Sequence, residues 1–355
     1  MHAAARGPQL DFVVPGSIET RTGGYGYDRE IVAGLERRGW AVRVHEIPGE
    51  FPFPSAGSRD AAAATFASIP GGSAVIVDGL ALGALPEEAA REASRLRLIA
   101  LVHHPLADET GLSAEARHAL DASERRALTS VRHVVVTSAR TAAALDRFGV
   151  APSSVTVIEP GTDPAPQARG SKSGLVELLC VATVVPRKGH DVLVRALATM
   201  ADAPWRLTCV GGLDRDDAWM KGLTAQITES GLAARIVFAG ELDREPLDAR
   251  YDAADVFVLP TWYEGYGMAV AEALARGLPV VSTATGAIAD LVGESAGILV
   301  PPGNADALAR ALGAIISDPA LRARLAEGAR RVRTRLPSWD DAAELMARTI
   351  EGVDG

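Results

Sequence analysis

Two glutamates, Glu264 and Glu272, stand eight residues apart in "EGYGMAVAEALARG", residues 264–277. Gly265 and Gly267 let backbone approach a ligand closely. The run from Gly267 to Gly277 reads as a helix, so the N–H groups of Gly267, Met268 and Ala269 lack intrahelical acceptors. Such a helix start attracts an anion, most often phosphate. Glu272 lies one turn beyond Met268, where its carboxylate flanks that end and suits sugar hydroxyls, as the acidic residue of dinucleotide folds suits ribose. Glu264 ends a strand on the other side of the same anion site. Either acid alone reads as well as a solvated loop or helix residue. Their pairing around a Gly-rich break in an Ala-rich helix favours a site.

Three further stretches carry candidate chemistry. In "PRKGHDVLVRAL", residues 186–197, Arg187 and Lys188 sit between a strand and a helix, where two cations neutralise a diphosphate. The chain holds 33 Arg and only three Lys (Lys172, Lys188 and Lys221), so Lys188 reads as specific rather than as a solvated basic turn. In "TGGYGYDRE", Gly23 and Gly24 precede a helix and allow a loop to approach phosphates and sugar, although the G-x-G-x-x-G fingerprint is missing. In "LVHHPLADETG", His103 and His104 end a strand. Their spacing to Asp108 and Glu109 matches no familiar metal ligand set, so contact with substrate hydroxyls is expected and no metal, with a structural histidine as the alternative.

The positioning elements follow from periodicity. Continuous apolar runs such as "LDFVV", "SAVIVDG", "LRLIALVHH", "VELLCVAT" and "DVFVLP" alternate with helical stretches. Strands without polar alternation are buried on both faces, which predicts parallel sheets covered by helices. "DPAPQARGSKSG", residues 163–174, interrupts the pattern and reads as a linker. At 355 residues the chain fits two domains. They are expected at 1–165, an N-terminal Rossmann-like acceptor-side domain, and at 166–337, a Rossmann-like donor domain. The helix at 338–355 is expected to pack back on the first. In such sheets ligands bind beyond the carboxyl ends of the strands. The net charge of −9 argues against nucleic acid or an anionic membrane surface as partner. Cys180 and Cys209 sit in apolar strands and read as inert buried thiols of a reducing compartment, with no partner ligand at metal-binding spacing. With no run of 18 apolar residues, a cytoplasmic protein is expected.

Together these stretches resemble the retaining GT-B glycosyltransferases, glycosyltransferase family 4. "EGYGMAVAEALARGLPVV" looks like that family's E-x7-E element, with Tyr266 where Phe is commoner; "PRKGHDVLVRAL" resembles its lysine-glycine helix start; and "GGYGYDREIVAGLERRGWAVRV" resembles its N-terminal glycine loop. The resemblance implies two Rossmann-like doubly wound domains facing across a cleft and a metal-independent hexosyltransferase. Its donor would be a nucleotide diphosphate sugar and its acceptor a hydroxyl, with a soluble small molecule or saccharide favoured. It places Glu272 on the ribose, Glu264 and His103 by the donor sugar, Lys188 and the start at Gly267–Ala269 on the diphosphate, and Gly24 over the phosphates. His104 falls on the acceptor side. The family's Gly-Arg after the first strand of the second domain is Ala182-Thr183 here, which leaves Arg187 to supply that charge. Alternatives on the same fold are a sugar-nucleotide epimerase or a glycoside phosphorylase. A non-catalytic nucleotide-sugar binding protein is the alternative of another class.

Overall fold

The computed structural model describes residues 7–353, which divide into two compact units. Unit 1 comprises residues up to 161 together with those from 337 onward, and unit 2 comprises 162–336.

Unit 1 opens with β1 (Gln9–Pro15), α1 (Gly23–Arg37), β2 (Ala41–Ile47), α2 (Ala56–Ser68) and β3 (Ala74–Asp78). It continues with α3 (Gly79–Leu82), α4 (Pro86–Glu92), β4 (Arg97–Val102), α5 (Ala114–Leu128), β5 (His133–Val136), α6 (Ala139–Ala144) and β6 (Val155–Val157). The six strands form one sheet in the order β2-β1-β3-β4-β5-β6, and every pairing is parallel. All five residues of β3 are buried, as the continuous apolar run requires of a central strand covered on both faces. Serines cap the helices where the turns end: Ser55, Ser113 and Ser138 each accept an N–H from the first turn of α2, α5 and α6.

Unit 2 holds β7 (Val176–Val181), α7 (His190–Ala198), β8 (Trp205–Val210), α8 (Asp217–Glu229), β9 (Ile236–Phe238), α9 (Arg244–Ala253) and β10 (Val256–Leu259). After these come α10 (Met268–Ala275), β11 (Val280–Thr283), α11 (Ile288–Val292), β12 (Gly297–Val300), α12 (Ala305–Ser317) and α13 (Pro319–Arg333). The second sheet, also parallel throughout, runs β12-β11-β10-β7-β8-β9. Its strand order turns back between β7 and β10, as that of the first sheet does between β1 and β3. Ligands of doubly wound sheets bind outside the strand ends at such a reversal.

The last helix, α14 (Trp339–Gly352), belongs to unit 1 and packs on α1. A capping box between Ser338 and Asp341 starts it. Contact is close enough that a Cβ on Gly34 would lie 2.5 Å from that of Ala343.

Two features depart from the expected organisation. Gly23 and Gly24 form the first turn of α1 instead of a loop ahead of it. Residues 162–174 have no regular structure, but they lie bound along unit 2 and do not hang as a tether. Asp163 pairs with Arg244 at 2.8 Å, Arg169 donates Nε to Asp252 at 2.8 Å, and the Ser171 N–H donates to Asp255 at 3.0 Å.

Candidate active site

In unit 2 the loops after β7 and β10, the strands that flank the reversal, carry Lys188 and Glu264. A single 3₁₀ turn, Pro186–Lys188, presents Arg187 and Lys188, and Gly189 leaves it at φ 70°. A Cβ there would stand 2.1 Å from the Pro260 carbonyl, so only glycine lets the two loops touch. The Trp262 N–H donates to the Arg187 carbonyl at 2.8 Å, and Thr261 Oγ1 lies 3.0 Å from the carbonyls of Arg187 and Tyr263.

On that frame Lys188 Nζ lies 2.5 Å from Glu264 Oε1, and Arg187 Nη1 lies 3.6 Å from the same oxygen while donating to the Tyr263 carbonyl at 2.8 Å. The two cations therefore stand against Glu264 rather than opposite it. Burial works against the Glu264 charge, but Lys188 and then Arg187 outweigh it and hold the carboxyl below its ordinary range. Burial also lowers the Lys188 pKa, opposed by Glu264. Arg187 thus sits within the charge cluster, although its backbone is four residues beyond Thr183.

Behind Glu264 the chain is packed without slack. Gly286, at φ 52°, would place a Cβ 1.8 Å from the Glu264 carbonyl, and the Ala287 N–H donates to that carbonyl at 3.3 Å. Gly265 and the buried Tyr266 lead into Gly267, which caps α10 in the left-handed region at φ 99° with Ile288 against it. The Val270 and Ala271 N–H groups bond back to the Gly267 carbonyl, so the N–H groups of Met268 and Ala269 precede the helical ladder.

Glu272, half-buried on α10, accepts a hydrogen bond from the Tyr251 hydroxyl at 2.8 Å. Burial raises its pKa, opposed by that bond and by Arg276. The Arg276 guanidinium lies 4.3 Å over the Tyr251 ring and pairs with Asp248. Tyr251 and Asp248 lie on α9, which no apolar period announces in the sequence, so this support was not foreseen. Tyr251→Phe is expected to lower the unfolding free energy by about 1.5–3 kcal/mol, the worth of a hydrogen bond to a charged group. Urea denaturation checks this, and a variant as stable as wild type would show that Tyr251 does not hold the carboxylate.

Unit 1 gathers a second cluster. His103 follows β4, Asp78 ends β3, and Asp28 lies on α1 after β1, so the sheet's reversal again supplies the groups. His103 Nε2 is 3.2 Å from Asp28 Oδ1 and 3.3 Å from Asp78 Oδ2. Its ring packs 3.3 Å from where a Cβ on Gly24 would stand, and Tyr27 meets it edge-on at 5.4 Å. Burial disfavours a charged ring, yet Asp28 and Asp78 together raise the His103 pKa to about 10. Burial pushes Asp28 up to about 6. Two carboxylates on one ring nitrogen favour the protonated form of His103, a partnership that strand-end position alone did not reveal. His104 turns elsewhere, with Nε2 3.5 Å from Glu109. The loop that follows is held from below by Glu124, whose Oε2 accepts the Leu106 N–H at 2.9 Å.

Among the described residues, two groups of three bring ligating atoms within 4.8 Å of one another: Asp28, Asp78 and His103, and Cys180, His190 and Cys209. In the first, both carboxylates face the same ring nitrogen of His103. The second overturns the expectation that the cysteines lack a partner ligand. His190 Nε2 lies 3.7 Å from Cys180 Sγ, and Cys209 is the register partner of Cys180 on the next strand. Spacing along the chain could not show this, because the strand-helix turn and the sheet pairing make the approach.

Two family models meet end to end on the chain. "Glycosyltransferase Family 4" matches residues 74–166 and "Glycosyl transferases group 1" matches 162–332. A D-inositol 3-phosphate glycosyltransferase of Xylanimonas cellulosilytica is 34% identical over 213 residues, 57% of this chain and 50% of that protein. The chain spans about half the length of the curated relatives it matches. Sucrose-phosphate synthase from Thermosynechococcus elongatus shares the fold at a TM-score of 0.83 and 23% identity, covering 98% of this chain and 99% of that one. Anabaena HepE, solved with UDP and glucose, shares it at 0.78 and 20%, covering 97% and 99%. Both family models match in order, and the two doubly wound domains share the fold of these structures, so the chain is similar to the GT4-type glycosyltransferases over residues 74–332.

Proposed function

We propose that this protein is a retaining glycosyltransferase that moves a sugar from a nucleotide diphosphate sugar to a hydroxyl acceptor. The observation that carries the proposal is the Lys188–Glu264 pair, with Arg187 beside it, at the strand reversal of unit 2 and next to the start of α10. In the transfer the bond from the anomeric carbon to the diphosphate oxygen breaks, a bond to the acceptor oxygen forms, and the acceptor's proton passes to the departing diphosphate. Negative charge grows on the departing diphosphate. Lys188, Arg187 and the N–H groups of Met268 and Ala269 are the donors set to meet it, fixed in place before reaction. Glu264 aligns the two cations and takes its place by the donor sugar. Glu272, oriented by Tyr251, receives the ribose hydroxyls. In unit 1 the Gly24 backbone and His103 serve the donor, and His104 serves the acceptor.

The family supports retention of anomeric configuration and chemistry without a metal, since the fixed cations supply the charge. We assign a small hydroxyl compound or saccharide as acceptor, in keeping with the inositol phosphate named for the curated relative. No helix among the described residues is long and apolar enough to cross a membrane. The two free buried thiols support work in a reducing compartment, and we place the protein in the cytoplasm.

A thermal-shift screen of UDP, GDP, ADP and dTDP sugars tests the proposal. One donor is expected to raise the midpoint, and stabilisation by none would remove its main support. Glu272→Ala is expected to weaken that donor's binding about 10- to 100-fold, the loss of one or two charge-assisted hydrogen bonds, with the fold intact. Equal affinity of mutant and wild type by calorimetry would refute the ribose assignment.

A further inference from the structure

We propose that Cys180, Cys209 and His190 form a buried binding site for a soft divalent metal ion of the Zn2+ type, separate from the sugar-transfer groups. Cys180 and Cys209 stand side by side on β7 and β8. His190 begins α7, and the three residues are at most 2% exposed. The Sγ–Nε2 distance of 3.7 Å is close to the about 3.5 Å that two ligands reach around a tetrahedral zinc with ordinary zinc–sulfur and zinc–nitrogen lengths. The second ring nitrogen, Nδ1 of His190, is buried and has no hydrogen-bond partner among the described residues. An ion on Nε2 would leave the ring proton on Nδ1, so the site rests on the three converging ligand atoms and not on that nitrogen.

Charge arithmetic favours a divalent ion. Two thiolates and a neutral imidazole cancel its charge, so the complex buries no net charge in an apolar core. The protein supplies three ligands, and no Asp, Glu, Cys or His of the described residues joins them as a fourth. A bound ion would tie the first turn of α7 to β7 and β8. Lys188 lies two residues before His190, so the ion would also stiffen the turn that presents the candidate diphosphate cation.

Titration of the reduced, metal-stripped full chain with Co2+ tests the site. The expected result is one equivalent bound, with visible bands of tetrahedral cobalt and a sulfur-to-cobalt charge-transfer band, both displaced by Zn2+. Cys180 and Cys209 are the only cysteines in the chain, so a sulfur band identifies them even if a variant fails to fold. Apparent affinity should fall as the pH is lowered and the thiols are protonated. Cys209→Ala should abolish the sulfur band, and saturating Zn2+ should raise the melting temperature of wild type alone. Absence of cobalt bands while two thiols are free, or binding that survives in Cys180→Ala and Cys209→Ala together, would overturn the proposal and leave the trio as packed core side chains.

Discussion

Replacing Lys188 with methionine is expected to lower turnover about 100- to 1,000-fold, the usual cost of losing one preorganised charge that meets a developing anion. The stem of methionine fills the same space, so the effect isolates the ammonium. Glu264 would keep Arg187, whose Nη1 lies 3.6 Å away, and the Thr261 hydroxyl against the same burial. Binding of the intact donor is expected to change less than turnover, because the charge on the diphosphate grows as it leaves. The measurement is kcat and KM with the donor chosen by thermal shift. Turnover within threefold of wild type would remove Lys188 from the mechanism. Lys188→Arg should recover part of the loss, since charge is restored without the compact geometry of an ammonium.

The second large effect is expected from His103→Phe. Asp28 and Asp78 would lose the cation between them, and breaking a buried pair by removing one partner costs about 3–5 kcal/mol. The pH dependence provides a second signature. The His103 pKa is raised to about 10 in the folded protein, against an ordinary value of 6.5. Its contribution to stability is therefore fully present below about pH 6.5 and is lost as pH rises through about 10. Denaturant unfolding at pH 7 and pH 9.5 should show a decline in wild type that the variant lacks. Parallel behaviour of the two proteins would contradict the imidazolium.

Much of this arrangement is legible in the sequence, for identifiable reasons. Runs such as "SAVIVDG" and "DVFVLP" are apolar without alternation because both faces of the central strands are covered, and the sheet follows directly. The scarcity of lysine singled out Lys188, and glycines on both sides of Met268–Ala275 bounded α10. What stayed hidden depends on approach across the sheet or between helices. Glu264 read as an acid beside an anion site, but the Gly189–Pro260 contact brings the loops together and makes it the counter-ion of Lys188 and Arg187. Tyr251 was invisible because α9, "REPLDARYDA", is polar along most of its length and buries little besides that one ring. Asp28 and Asp78 are each an ordinary acid in sequence, 50 residues apart, and only the reversal between β1 and β3 points them at one imidazole.

The placement of α14 in unit 1 sets an order of events during synthesis. Unit 2 is one continuous segment, 162–336, and every strand of its sheet is available once that segment has left the ribosome. Unit 1 must wait. Ala343, Met346 and Ile350 of α14 are fully buried, and Trp339 meets Tyr27 at 5.9 Å, the ring that braces His103. The nascent first sheet therefore carries an uncovered α1 through the whole translation of unit 2, and the imidazole pocket is finished only when α14 has been made. A chain stalled or clipped before residue 339 would hold a complete unit 2 with an unfinished unit 1, which makes α14 a checkpoint for folding quality as much as a piece of packing.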